Sequence, residues 1–257
     1  MRIAVVTPYL LEDTAVLSRC HESVVAQTHL CTHIMVADGF PNSAVDTWGA
    51  HHITLPHSHS DIGDTARLIG AFHAIGLEFD AVAFLDADNW YRPDHIANLV
   101  DLQERARAAF VCSSRELMSL DGISMGPCPL TDPESFIDTS CMMFTRDSYH
   151  LLHHWCLIPP YAHLIGDRVM LQRLRRSGVK RAYSPARSVY YSCGKEGLYT
   201  QLGRSAPAGV QPRPDYESAM ARWEADGNPS LRGRRSAQFV RRLAALVMSS
   251  VKLRSSR

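Results

Sequence analysis

Three short apolar runs shape the first half of the chain: Ile3–Val6, Ile34–Ala37 and Ala81–Leu85, each closing on a polar or turn-forming group. Helix-like stretches, Thr14–Gln27 and Asp64–Leu77, lie between them. A strand that is apolar on both faces must be covered on both faces, and an intervening helix returns the chain to begin the next strand in parallel. The pattern therefore predicts an α/β fold with a mostly parallel central sheet flanked by helices. In such sheets ligands collect at the carboxyl ends of the strands. That singles out the residues following the three runs: Thr7-Pro8-Tyr9, Asp38-Gly39 and Asp86-Ala87-Asp88.

Further along, the pattern predicts a helix over Pro93–Ala108, a strand over Phe110–Ser113, a loop from Asp121 to Pro133 and a strand over Ser140–Thr145. A helix over Asp167–Ser177 stops at Gly178, and Gly203–Pro214 reads as a linker. The 27 Lys and Arg nearly balance the 26 Asp and Glu, yet no acid follows Asp226, while Gly227–Arg257 holds eight bases. The preceding residues then carry 19 bases and 26 acids, a net charge of −7. A mildly acidic body is unsuited to neutralising a phosphate backbone, which argues against nucleic acid as a partner. Seven scattered cysteines without a C-x-x-C pair suit neither a disulfide framework nor a cysteine zinc site. No apolar stretch reaches 18 residues, and Met1–Val6 is too short for a signal-peptide core. These features predict a cytoplasmic protein.

Each candidate site admits two readings. Asp86 and Asp88, one residue apart at a strand end, can share a hard cation such as Mg²⁺ or Mn²⁺ with diphosphate oxygens, or simply belong to a solvated turn. Asp38 can accept a nucleobase N–H, with Gly39 permitting positive φ, or form an Asx turn. Thr7-Pro8-Tyr9 can supply backbone and aromatic contacts to the same base, or end a strand. Arg67, one turn into a helix, can meet a diphosphate or pair on the surface. Asp167 can serve as a general base or cap its helix. The thirteen histidines follow no zinc pattern.

Taken in order, these pieces resemble the nucleotide-sugar glycosyltransferases of the GT-A fold, in particular the inverting family 2 enzymes. Val5-Val6-Thr7-Pro8-Tyr9 resembles the opening strand and nucleotide loop, Ser23–Thr28 the S-x-x-x-Q-T segment, and Val36-Ala37-Asp38-Gly39 the V-D-D-G-S segment. Gly63, Ala66-Arg67 and Gly70 are similar to G-x-x-x-A-R-N-x-G, with Leu68 in place of Asn. Phe84-Leu85-Asp86-Ala87-Asp88-Asn89 is similar to F-L-D-A-D-D, and Ile137-Asp138-Thr139-Ser140 to the acceptor-side strand. Gly166-Asp167 with Leu171, Arg173-Leu174 and Gly178 resembles E-D-x-x-L-x-x-R-L-x-x-x-G, with Gly in place of Glu.

The resemblance implies a catalytic domain over 1–202. Its nucleotide-binding half would run to about 110 and its acceptor half over 111–202, followed by a linker or extension over 203–230 and a basic tail over 231–257. It also implies transfer of a sugar, from a uridine diphosphate sugar in preference to others, to a hydroxyl on a glycan or lipid-linked glycan. In that scheme Asp167 is the base and Asp88, helped by Asp86, holds Mn²⁺ or Mg²⁺. Thr7, Pro8, Tyr9, Asp38, Arg67, Asp86, Ala87 and Asp88 face the donor, and Asp138 and Thr139 the acceptor. Two rivals remain at this level: a nucleotidyltransferase of related fold, and an inactive relative acting as a binding subunit. Within the tail, Phe239, Val240, Leu243, Leu246, Val247 and Val251 share one helical face opposite Arg241, Arg242, Ser249 and Lys252. Such a helix can lie peripherally on the anionic inner face of a membrane, or pack on the acidic body at a homodimer contact.

Overall fold

The computed structural model describes residues 1–231, so the amphipathic tail from position 232 onward lies outside the described residues. The strands are β1 (Ile3–Tyr9), β2 (Cys31–Ala37), β3 (His51–Thr54), β4 (Ala81–Phe84), β5 (Trp90–Tyr91), β6 (Phe110–Met118), β7 (Ser124–Pro127), β8 (Met142–Thr145) and β9 (Arg181–Ser192). The helices are α1 (Thr14–Val25), α2 (Asp64–Gly76), α3 (His95–Ala106), α4 (Gly166–Ser177), α5 (Glu196–Gln201) and α6 (Tyr216–Ala225), with 3₁₀ segments at Arg146–Leu157 and Pro160–Ile165. One sheet runs in the order β3-β2-β1-β4-β8-β6-β9-β5, with β7 hairpinned onto β6. Its first four strands are parallel. Beyond them β8 is inserted antiparallel to both β4 and β6, while β6 and β9 pair in parallel.

The two apolar runs at the centre explain this arrangement. Every residue of β1 and β4 is buried, and consecutive side chains leave on opposite faces. Thr7 meets Cys20 of α1 on one face (Oγ1 to Sγ 3.7 Å), while Val6 lies against α2 on the other. Helix α1 therefore covers one side of the sheet and α2 the other. Because β8 runs antiparallel to β4, with Ala81 opposite Thr145 and Ala83 opposite Met143, the residues just before β8 fall beside those just after β4. That register carries Asp138-Thr139-Ser140 to Asp86.

Several elements were not legible from periodicity. The stretch 121–133 contains β7, the extension 203–230 contains α6, and β3 and β9 add strands where none was expected. The predicted strand at Phe110–Ser113 continues to Met118, carrying Arg115 into the sheet. Among the described residues no helix is long and apolar enough to cross a membrane.

Gly70 shows how tightly α2 sits. A Cβ there would lie 2.5 Å from Val6 Cγ1 and 2.9 Å from Val36 Cγ2, and both valines are stiff at χ1. In an open helix Gly→Ala gains about 1 kcal/mol, whereas overpacking a filled core costs roughly 1–3 kcal/mol. Gly70→Ala is therefore expected to lower the denaturant midpoint. A midpoint that rises would show that α2 has room to move.

Candidate active site

The loop after β4 is stitched to three neighbouring segments. Ser140 Oγ accepts from the Asp86 amide (3.1 Å) and from Asn89 Nδ2 (3.0 Å), and it donates to Asp86 Oδ2 (3.3 Å). Asn89 Oδ1 accepts from the Ser192 amide at the end of β9 (3.0 Å), and Arg19 Nη2 donates to the Asp88 carbonyl (2.9 Å). The loop is thus held in one conformation before any ligand arrives.

Arg67 is not a free surface cation. It is 4% exposed and bridges two acids, with Nη1 donating to Asp64 Oδ1 (2.8 Å) and Nη2 to Asp86 Oδ1 (2.9 Å). Its guanidinium lies over the Trp155 ring at 4.8 Å. The other oxygen of Asp64 accepts from His163 Nδ1 at 2.8 Å, and that bond raises the pKa of the imidazole. A chain of charges therefore runs from His163 through Asp64 and Arg67 to Asp86. It joins the 160–165 segment to the strand-end loop.

Among the described residues the Asp88 side chain has no such partner. Asp88 is exposed, and the protein crowded on its inner side, together with the charges of Asp86, Asp138 and Glu12, shifts its carboxyl upward. A hard divalent cation relieves that kind of repulsion. Mg²⁺ characteristically uses one or two carboxylates and completes its shell with water and phosphate oxygens. Among the described residues no group of three or more metal-ligating side chains is assembled, so Asp86 and Asp88 fit this shared mode and no all-protein cage. With Asp86 already engaged by Arg67, Asp88 is the freer ligand.

A cavity of about 630 Å³ opens beside this loop, and Arg67, Asp86, Asp138, Thr139 and Asp167 all line it. Asp138 forms an ion pair with the buried Arg115, which also packs over the Tyr191 ring at 3.8 Å. Asp167 is the second residue of α4, and the helix is capped at Ile165, so Asp167 is not an N-cap. Its Oδ1 accepts from the Arg168 amide at 2.6 Å, yet burial dominates and pushes the carboxyl up to about 7. A carboxyl tuned near neutrality can both take and release a proton at physiological pH.

Asp88 lies on the loop beside the cavity but not in its lining, and the remaining candidates also lie outside it. Thr7 Oγ1 is within 2.8 Å of His33 Nε2 under α1, and the Tyr9 hydroxyl sits 2.6 Å from His52 Nε2. Pro8 is on the opposite face, where a Cβ on Gly63 would meet it at 3.1 Å. Ala87 is buried against Tyr9 and Leu17. Asp38 uses both oxygens on Ser58 and on the amide and imidazole of His59. Burial opposes its charge, but these hydrogen bonds outweigh it and hold the carboxyl below the usual range. A nucleobase donor would have to share Asp38 with that loop.

Sequence reasoning missed Arg115, His163, Trp155 and Tyr216, all of which line the cavity. Arg115, set with Glu116 in the middle of β6, was a usable signal, because a strand buries an arginine only against a partner. Nothing comparable marked His163. Tyr216 and Met220 belong to α6, so the segment read as an extension forms one wall.

The model of Glycosyl transferase family 2 matches residues 4–158. Among solved structures, residues 1–349 of S. aureus TarS superpose with a TM-score of 0.58 at 13% identity, covering 78% of this chain and 63% of that one. A structure of the same TarS region in complex with UDP-GlcNAc gives 0.57 at 12% identity, covering 75% and 58%. A UDP complex gives 0.58 at 12%, covering 79% and 63%. At these identities the likeness is one of fold, and the chain spans less than two thirds of those TarS chains. No curated protein matches this sequence.

Removing Arg67 would strand two acids. Breaking a buried ion pair from one side costs about 3–5 kcal/mol. Arg67→Met is accordingly expected to lose stability on that scale in urea unfolding. Arg67→Lys, which keeps the charge but lacks the fork, should fall between the two. Wild-type stability in Arg67→Met would mean that the pair is not holding the loop.

Proposed function

Since the chain belongs to glycosyl transferase family 2, we propose that it moves a sugar from a uridine diphosphate sugar to a hydroxyl of a glycan or lipid-linked glycan, with inversion at the anomeric carbon. The observation that carries this reading is one cavity lined by both Asp86 of the strand-end loop and Asp167 at the start of α4. A nucleotidyltransferase is disfavoured by the first loop, Thr7-Pro8-Tyr9-Leu10-Leu11-Glu12, which has no glycine. The preference for uridine draws support from the UDP and UDP-GlcNAc complexes of TarS rather than from Asp38, whose oxygens are occupied.

In this reading Asp167 accepts the hydroxyl proton as the acceptor oxygen bonds to the anomeric carbon, and the bond to the diphosphate breaks on the opposite side. General-base assistance of this kind contributes roughly 10²–10⁴ in rate. Mn²⁺ or Mg²⁺ held chiefly by Asp88, with Asp86 as the second carboxylate, would neutralise the departing diphosphate. Arg67 keeps Asp86 aimed, and Arg115 supplies the counter-charge for Asp138. Residues 1–202 form the catalytic domain in this proposal, and α6 of the 203–230 extension closes its cavity. The basic tail would bring that cavity to an anionic surface bearing a lipid-linked acceptor.

Two measurements test the assignment. Calorimetry with UDP should show affinity that depends on Mn²⁺ in the wild type and loses that dependence in Asp88→Ala; equal affinity in chelator and in Mn²⁺ refutes the metal role. Asp167→Asn should keep UDP affinity while turnover falls at least ~10²-fold. With saturating metal, wild-type turnover should rise with pH through a limb near 7, because the raised Asp167 carboxyl must lose its proton before it can accept one. A limb near 4, or normal turnover in Asp167→Asn, would remove Asp167 from the role of base.

A further inference from the structure

The turn that leads into α2 holds two non-glycine residues in the left-handed region, Ser60 at φ 55° and Ile62 at φ 58°, and Gly63 follows at 81°. That region is unfavourable for any L side chain and most of all for a β-branched one. The turn is imposed from both ends. Asp38 accepts from the Ser58 hydroxyl (3.1 Å) and from the His59 amide (3.0 Å) and imidazole (2.7 Å). On the other side Asp61 Oδ2 accepts from the amide of Thr65 at 2.9 Å and from its hydroxyl at 2.5 Å, which fixes the first turn of α2. Between these clamps the backbone has no slack, and Ile62 takes the strained conformation.

The fold gains nothing from an isoleucine there. Ile62 is 61% exposed, so it contributes little burial, and glycine or asparagine would occupy the same backbone more easily. An exposed isoleucine alone is unremarkable. One that is exposed, strained, and lining the same cavity as Asp64, Arg67 and Asp86 is different. Strain that the surrounding structure maintains at a ligand cavity is characteristic of a side chain positioned for the ligand.

We propose that Ile62 is a specificity-determining residue that packs on the apolar C–H face of the sugar carried by the nucleotide donor. This rests on the glycosyltransferase reading above. The donor sugar is the partner because Ile62 lines the same cavity as Arg67 of α2 and Asp86 of the strand-end loop, and a Cβ on the adjacent Gly63 would lie 3.8 Å from Arg67 Nη2, near where the diphosphate would lie. A saturated hydrocarbon side chain cannot satisfy a hydroxyl, so Ile62 favours a sugar whose facing edge carries only C–H groups. It disfavours an epimer that would bury a hydroxyl against it.

The test uses the full-length protein with UDP and a panel of UDP-hexoses in the presence of Mn²⁺. Ile62→Gly should melt about 2 °C higher, because the strain is relieved. Its affinity for UDP should stay within twofold of wild type. Its affinity for the UDP-sugar preferred by the wild type should fall about tenfold or more, and its discrimination among the panel should narrow. Ile62→Val, which keeps a branched apolar side chain, should bind that sugar within threefold of wild type. Unchanged UDP-sugar affinity in Ile62→Gly overturns the inference, and so does a lower melting temperature, which would make Ile62 a packing residue. Wild-type protein that binds UDP but shows no preference among the sugars overturns it while leaving the nucleotide-binding reading intact. Wild-type protein that binds neither overturns both.

Discussion

A single buried guanidinium organises the site. Arg67 reaches from the first turn of α2 to Asp86 at the end of β4, with Asp64 on its other side and the Trp155 ring beneath it. Taking such a charge out of water is unfavourable by several kcal/mol unless partners surround it. Here two carboxylates do, and His163 supplies a further donor to Asp64. The consequence is mechanical as well as electrostatic. Helix α2, the strand-end loop and the 160–165 segment cannot shift independently, because moving any one of them leaves a buried charge unpaired.

That constraint divides the two aspartates of the loop. Asp86 is engaged by Arg67 and Ser140, whereas Asp88 faces other acids, with no cation paired to it among the described residues. Two residues of one type, a single position apart, are thereby prepared differently: one is fixed in place and the other is left in electrostatic need. The same logic applies across the cavity. Arg115 balances Asp138, while Asp167 is half-buried, and its desolvation pushes its carboxyl up to about 7. In the proposed reaction the unbalanced carboxyls are the ones that handle the metal and the proton.

The sequence revealed the parts of this design that follow from burial. Strands β1, β2 and β4 were legible because both faces of their central residues are covered, which leaves a continuous apolar run, and the acids that end those runs marked the edge where a ligand would bind. Strand β9 was not legible, since Arg181, Pro185 and Arg187 interrupt any alternation and most of its residues are only partly buried. Helix α6 was hidden by its polar composition; only Ala219 and Trp223 are buried. Pairings were the least accessible. Asp38 to His59 spans 21 residues and Asp64 to His163 spans 99, and no local pattern encodes which distant side chain will neutralise a given charge. Arg67 was recognised as a site residue, but its engagement by two acids emerged only from the fold.

The central claim is that the cavity beside Asp86 and Asp88 receives a nucleoside diphosphate while Arg67 remains committed to holding Asp86. The most direct measurement is a crystal structure of the protein with UDP and Mn²⁺, with the ion located by its anomalous scattering. The account predicts the ion on the Asp88 carboxylate, the diphosphate bridging from it into the cavity, and the Arg67–Asp86 pair intact. An ion and diphosphate bound elsewhere, or an Arg67 that has left Asp86 to take the phosphate, would contradict it.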